Sequence, residues 1–88
     1  MKISVVMASR NPDIKKLADA IGSVLNQSYK GFELIIVDDG SDESISPIVS
    51  TITGDERVRV FRIEPSGLGA ALNYGIKQSM AKYIARLD

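Results

Sequence analysis

The stretch "LIIVDDGSDES" (Leu34–Ser44) decides the reading of this chain. Four apolar residues, three of them β-branched, form a continuous run of the kind a strand needs when both faces are covered. Two carboxylates, Asp38 and Asp39, follow at once, and Gly40 and Ser41 turn the chain. Local chemistry fits two readings. One is an Asx turn in which Gly40 supplies a positive φ. The other gives one carboxylate to the turn and the other to a ligand beyond the strand end, where it accepts from an N–H or a hydroxyl or binds a cation.

Outward from this run the chain alternates. Residues 3–8, "ISVVMA", are a second near-continuous apolar run and predict a buried strand. "SRNPD" follows, with Asn11 as the expected N-cap and Pro12 at the first helical position. Apolar residues at Ile14, Leu17, Ile21, Val24 and Leu25 then recur at helical spacing. Phe32–Val37 is the strand already described. A short helix is expected over about 44–53, because Pro47 is tolerated only in a first turn. "VRVFRI" alternates and predicts a strand nearer the sheet edge. "EPSGLG" is a loop, a helix is expected over about 69–80, and "KYIARL" is a fourth strand. The order β-α-β-α-β-α-β predicts an α/β domain, Rossmann-like, with a parallel sheet between helical layers. By analogy with other doubly wound sheets the strand order is 3-2-1-4, which opens a crevice beyond the carboxyl ends of the strands.

Composition narrows the chemistry. Eighty-eight residues make one domain, and 11 basic against 11 acidic residues leave no net charge to draw the chain to nucleic acid. The chain has neither Cys nor His. Thiolate and imidazole catalysis are excluded, and any metal is a hard ion held by oxygen. No apolar run approaches the length that crosses a bilayer, and the first residues lack a signal-peptide pattern, which suits the cytoplasm. There is no GxGxxG after the first strand and no GxxxxGK[ST], so dinucleotide and P-loop sites are disfavoured. Gly67 and Gly69 before the third helix fit either a phosphate cradle or a plain loop. Arg10 and Arg86 are candidate phosphate partners, and a solvated or ion-paired role suits Arg86 equally well.

The motifs "ISVVMASRN", "SVLNQSYKGFELIIVDDGSDES", "RVRVF", "GLGAALNYGI" and "YIARLD", in this order, resemble the N-terminal half of an inverting family-2 glycosyltransferase of the GT-A fold, across residues 1–88. The resemblance implies that Ala8, Ser9, Arg10, Asn11 and Asp39 hold the base and ribose of a nucleotide-diphospho-sugar, with Asp38 shaping the turn. It aligns Arg86 and Asp88 with the start of an Arg-x-Asp-Ala-Asp-Asp motif, so that Asp88 is a metal-site residue for Mg²⁺ or Mn²⁺. It leaves the catalytic base and the saccharide or lipid-linked acceptor to a second half, with the whole enzyme in the cytoplasm or at the inner membrane face. Three positions depart from the pattern: Arg10 replaces a frequent Tyr, Pro65 replaces Asn, and Ala81-Lys82 replaces Gly-Glu. Two rivals are weaker. A receiver-like domain needs its acidic pair after strand 1, and a non-catalytic nucleotide-binding or interaction module keeps the same half-fold. The unpaired edge of strand 4 is expected to favour self-association.

Overall fold

The computed structural model describes residues 2–87. The two apolar runs form the middle of a four-stranded parallel sheet. Strand β1 (Ile3–Ser9) lies between β2 (Phe32–Asp39) and β4 (Tyr83–Arg86), and β3 (Val58–Ile63) flanks β2, giving the order β3-β2-β1-β4. All eight residues of β2 are buried, as a strand covered on both faces requires.

Alternation along the strands sorts the core into two layers. Val5, Met7, Leu34 and Ile36 face helices α1 (Ile14–Leu25) and α2 (Ser46–Ile52), packing on Leu17, Ile21, Val24, Ile45 and Val49. Val6, Ile35 and Val37 face helix α3 (Leu68–Gln78) and pack on Ala71 and Leu72. The chain steps outward from β1 to β3 and then returns to the other side of β1, so α3 covers the face opposite α1 and α2. Each fully buried aliphatic side chain contributes about 1.5–3 kcal/mol. Gly75 brings α3 close to the sheet, because a Cβ there would run into the Val6 side chain and lie 3.0 Å from Val37.

The start of α1 differs from expectation. Asp13, not Asn11, is the N-cap, accepting from the Lys16 N–H at 3.2 Å, and Pro12 precedes the cap. Asn11 is committed elsewhere: it sits at φ 47° and bonds to the loop after β2. Helix α2 begins two residues later than expected, with Pro47 in its first turn. Strand β4 is exposed along its length, with Tyr83 and Ile84 facing outward. Among the described residues no helix is long and apolar enough to cross a membrane.

Candidate functional site

The two adjacent carboxylates at the end of β2 do not confront each other. Successive strand residues point to opposite faces. Asp38 shares the α1/α2 face with Leu34 and Ile36, and Asp39 shares the α3 face with Ile35 and Val37. The sheet separates the two charges, and each finds its own donors.

Asp38 is fully buried and saturated. It accepts from the Ser41 N–H at 3.0 Å, the Ile45 N–H at 3.1 Å and Arg62 Nη1 at 2.8 Å. Burial pushes its pKa up, but the hydrogen bonds from Ser41, Ile45 and Arg62 outweigh burial and hold the carboxyl below its ordinary range. The same Arg62 donates Nη2 to the Ser41 carbonyl at 2.7 Å. Asp38 therefore ties the β2–α2 loop to the end of β3, which exceeds the within-turn role expected of it.

Asp39 is 5% exposed and faces a cleft. Its two oxygens accept from the Ser66 N–H at 2.7 Å and the Gly67 N–H at 3.0 Å. In this way it satisfies backbone donors at the start of α3, where Gly67 (φ 94°) has no side chain to cap the helix. The loops on either side of Asp39 close tightly. Gly40 adopts φ 64°, and a Cβ at that position would collide with the Pro65 ring.

The cleft encloses about 300 Å³ and is lined by Ala8, Ser9, Arg10, Asp39, Gly67 and Leu68. It lies beyond the carboxyl ends of β1 and β2, where ligands bind in open parallel sheets. Four expected site residues thus meet in one place: Ala8, Ser9, Arg10 and Asp39. Asn11 is outside the cleft lining; its N–H donates to Ser41 Oγ and its Oδ1 accepts from the Asp42 N–H, both at 2.8 Å. Arg86 pairs in register with Val6, two residues short of Ala8, and its exposed side chain shares the α3 face without lining the cleft. Asp88 lies outside the described residues. Among the described residues no three carboxylates converge as a metal cage. Asp38 is buried with its oxygens taken by three donors, and Asp39 is the one carboxylate of the cleft lining, so these two residues alone form no cage for Mg²⁺ or Mn²⁺.

Residues 4–88 match the family model described as glycosyl transferase family 2. The chain belongs to this family. It is 45% identical over 87 residues to an uncharacterized glycosyltransferase of Rickettsia felis, covering 99% of this chain and 14% of that protein. It is 39% identical over 88 residues to the O-antigen biosynthesis glycosyltransferase WbnJ of Escherichia coli, covering 98% of this chain and 34% of WbnJ. The chain thus spans 14% and 34% of the lengths of these two relatives. Among solved structures it superposes on S. aureus TarS 1–349 in complex with UDP with a TM-score of 0.83 and 26% identity, covering all of this chain and 27% of that one. The fold is the parallel α/β arrangement of these GT-A neighbours.

Within this family-2 domain, sequence reasoning left two wall residues of the cleft outside the site. Gly67 carried a weak signal as a glycine before a helix. Leu68, 64% exposed, carried none that a solvent-facing helical residue would not share. Arg62 was also missed as Asp38's partner. The alternation in "VRVFRI" places it on the Asp38 face once the register Asp38↔Arg62 is known.

Proposed function

We propose that this domain is the N-terminal, donor-binding half of a family-2 glycosyltransferase that takes its sugar from a nucleotide-diphospho-sugar, UDP-linked. The observation that carries the reading is the cleft at the ends of β1 and β2, where Asp39 meets Ala8, Ser9 and Arg10. The UDP complex of TarS, on the same fold, supports UDP as the nucleotide. The role of WbnJ in O-antigen synthesis supports cell-surface polysaccharide assembly as the setting.

In the whole enzyme an acceptor hydroxyl of a saccharide or lipid-linked saccharide attacks the anomeric carbon. The bond from that carbon to the diphosphate oxygen breaks, configuration inverts, and a carboxylate base takes the hydroxyl proton. That base and the acceptor pocket belong to the second half, so the 88-residue chain alone is expected to bind nucleotide weakly and to transfer no sugar. The chain's own part is to bind and orient. Asp39 sets the Ser66–Gly67 wall and offers its remaining lone pairs to the base or ribose, and Arg10 and Arg86 offer positive charge. The described residues supply no cage for Mg²⁺ or Mn²⁺, so a metal in the whole enzyme takes its ligands from elsewhere, Asp88 among them. The reading has the whole protein working in the cytoplasm or at the inner face of the membrane. The exposed β4 edge is expected to pair with a second copy when nothing else covers it.

Titrating UDP into ¹⁵N-labelled protein tests the reading. Saturable shifts of the Ser9, Asp39 and Gly67 amides are expected. Shifts confined to residues away from the cleft, or none at millimolar UDP, would overturn it.

A further inference from the structure

Asn11 was expected among the residues that hold the nucleotide, and in the structure it bonds to the loop after β2 beside the cleft lining. It is the one non-glycine residue at positive φ among the described residues, at 47°. Such a backbone persists where surrounding contacts over-determine it, and these places cluster at functional sites. Two contacts hold Asn11, both from a loop thirty residues away in sequence. Its N–H donates to Ser41 Oγ and its Oδ1 accepts from the Asp42 N–H, each at 2.8 Å. Ser41 is itself 2% exposed and locked: its N–H goes to Asp38 and its carbonyl takes Arg62 Nη2. The anchor therefore reaches back through the Asp38–Arg62 ion pair to β2 and β3.

This left-handed residue sits between Arg10, in the cleft lining, and Asp13, the cap of α1. A single residue at positive φ turns the chain sharply, so Ser9 and Arg10 stay on the cleft side while Pro12 leaves for the helix. Arg10 is exposed and pairs with no carboxylate among the described residues. Asp39, the carboxylate of the cleft, is occupied by two N–H donors and forms no ion pair with Arg10. Among the described residues the cleft thus holds a cation with no ion-pair partner, and a guanidinium is suited to grip phosphate oxygens through its forked donors.

We propose that Arg10 binds the diphosphate of the nucleotide donor, and that Asn11 is the positioning residue that presents it. This rests on the donor-binding reading and adds which residue meets the charged part of the ligand and what aims it.

The test is a comparison of UDP with uridine, by NMR titration of the 88-residue chain. Arg10→Gln should lower UDP affinity about tenfold, as loss of a charge-assisted bond does, and uridine affinity far less. Asn11→Gly keeps the positive φ and deletes the Oδ1 acceptor. It should lower UDP affinity several-fold when Arg10 is present and add little to Arg10→Gln, because coupled residues are not additive. Asn11→Asp keeps an acceptor and tolerates the same φ, so it should restore UDP affinity; it also serves if the glycine variant folds poorly. Equal losses on UDP and uridine for Arg10→Gln would overturn the diphosphate assignment. Additive losses, or a failure of Asn11→Asp to rescue, would overturn the positioning role. If the unaltered chain binds neither ligand, the donor reading falls and this inference with it. If it binds both and the variants do not separate them, only this inference falls.

Discussion

Strand β2 is charged at both ends, and the two ends use charge differently. At the entrance, Glu33 is 1% exposed and accepts four hydrogen bonds: the Ser4 hydroxyl, the Met80 N–H at 2.8 Å, and Arg59 through Nε at 3.1 Å and Nη2 at 2.7 Å. Arg59 also caps the Gln78 carbonyl, and Ser4 Oγ accepts from the Ala81 N–H. This network fastens the end of α3 and the approach to β4 from beneath, and no bond in it points outward. At the exit, Asp38 is bound in the same manner by Arg62, whereas Asp39 borders a cleft that Arg10, unpaired among the described residues, also lines. Burial of a carboxylate is common to all three and marks no site. What marks the exit is an opening beside the carboxylate and a cation without an internal partner among the described residues.

The comparison breaks first at Glu33. Glu33→Ala strands the Ser4 hydroxyl, the Met80 N–H and the Arg59 charge. Arg59 is one-third exposed, so water recovers part of the loss. The expected destabilisation is about 3 kcal/mol, at the low end for a broken buried pair. In a domain of this size that lowers Tm by more than about 10 °C. Urea unfolding measures it, and a change in midpoint near zero would mean the network is dispensable.

Asp38→Ala is the next largest. It leaves the Ser41 and Ile45 N–H groups without acceptors, while Arg62, 42% exposed, turns to solvent. The expected cost is about 2 kcal/mol by urea unfolding. Acid should reproduce part of both losses. At Glu33, burial raises the pKa, but the Met80, Ser4 and Arg59 hydrogen bonds prevail and lower it; Asp38 is lowered likewise. A carboxylate whose folded pKa is depressed contributes stability above its unfolded pKa, about 4, and loses it as pH falls through the folded value. Urea midpoints should therefore be level near neutrality and drop below about pH 4, and Glu33→Gln should shallow that drop. An identical acid limb in the variant would assign the pH dependence to other groups.

How much of this could be read from residues alone follows the range of the interactions. Apolar runs and helical stripes are local, so four strands, three helices and the order 3-2-1-4 were legible, the last through analogy with other wound sheets. The cleft was legible at Ala8, Ser9, Arg10 and Asp39 because strand ends and family motifs mark it. The entrance network was not. Glu33 interrupts "FELIIV" on the face shared with Ile35 and Val37, which flags a buried charge, but its partners lie 26 to 47 residues away. Asn11 failed for the same reason: Asn before Pro reads as a cap locally, and a contact with Ser41 and Asp42 overrides that preference.

Asp39→Ala should cost the fold least, and it sharpens the contrast most. The donors it satisfies, on Ser66 and Gly67, belong to exposed loop residues, so water replaces the carboxylate at an expected cost of about 1 kcal/mol. Ligand binding responds differently. The side chain is both a cleft wall and the clamp on the opposite wall, so its loss removes a charged acceptor and loosens Gly67 and Leu68 together. UDP affinity should fall about tenfold or more. Asp39→Asn separates the two functions. It keeps one acceptor for the loop and loses the charge, so stability should return toward that of the unaltered chain while UDP affinity stays low. Calorimetric or NMR titration beside thermal unfolding gives both numbers for each variant. Unchanged UDP affinity in a folded Asp39→Ala protein would reduce Asp39 to a structural carboxylate like Glu33, and the two ends of β2 would then differ only in the opening beside one of them.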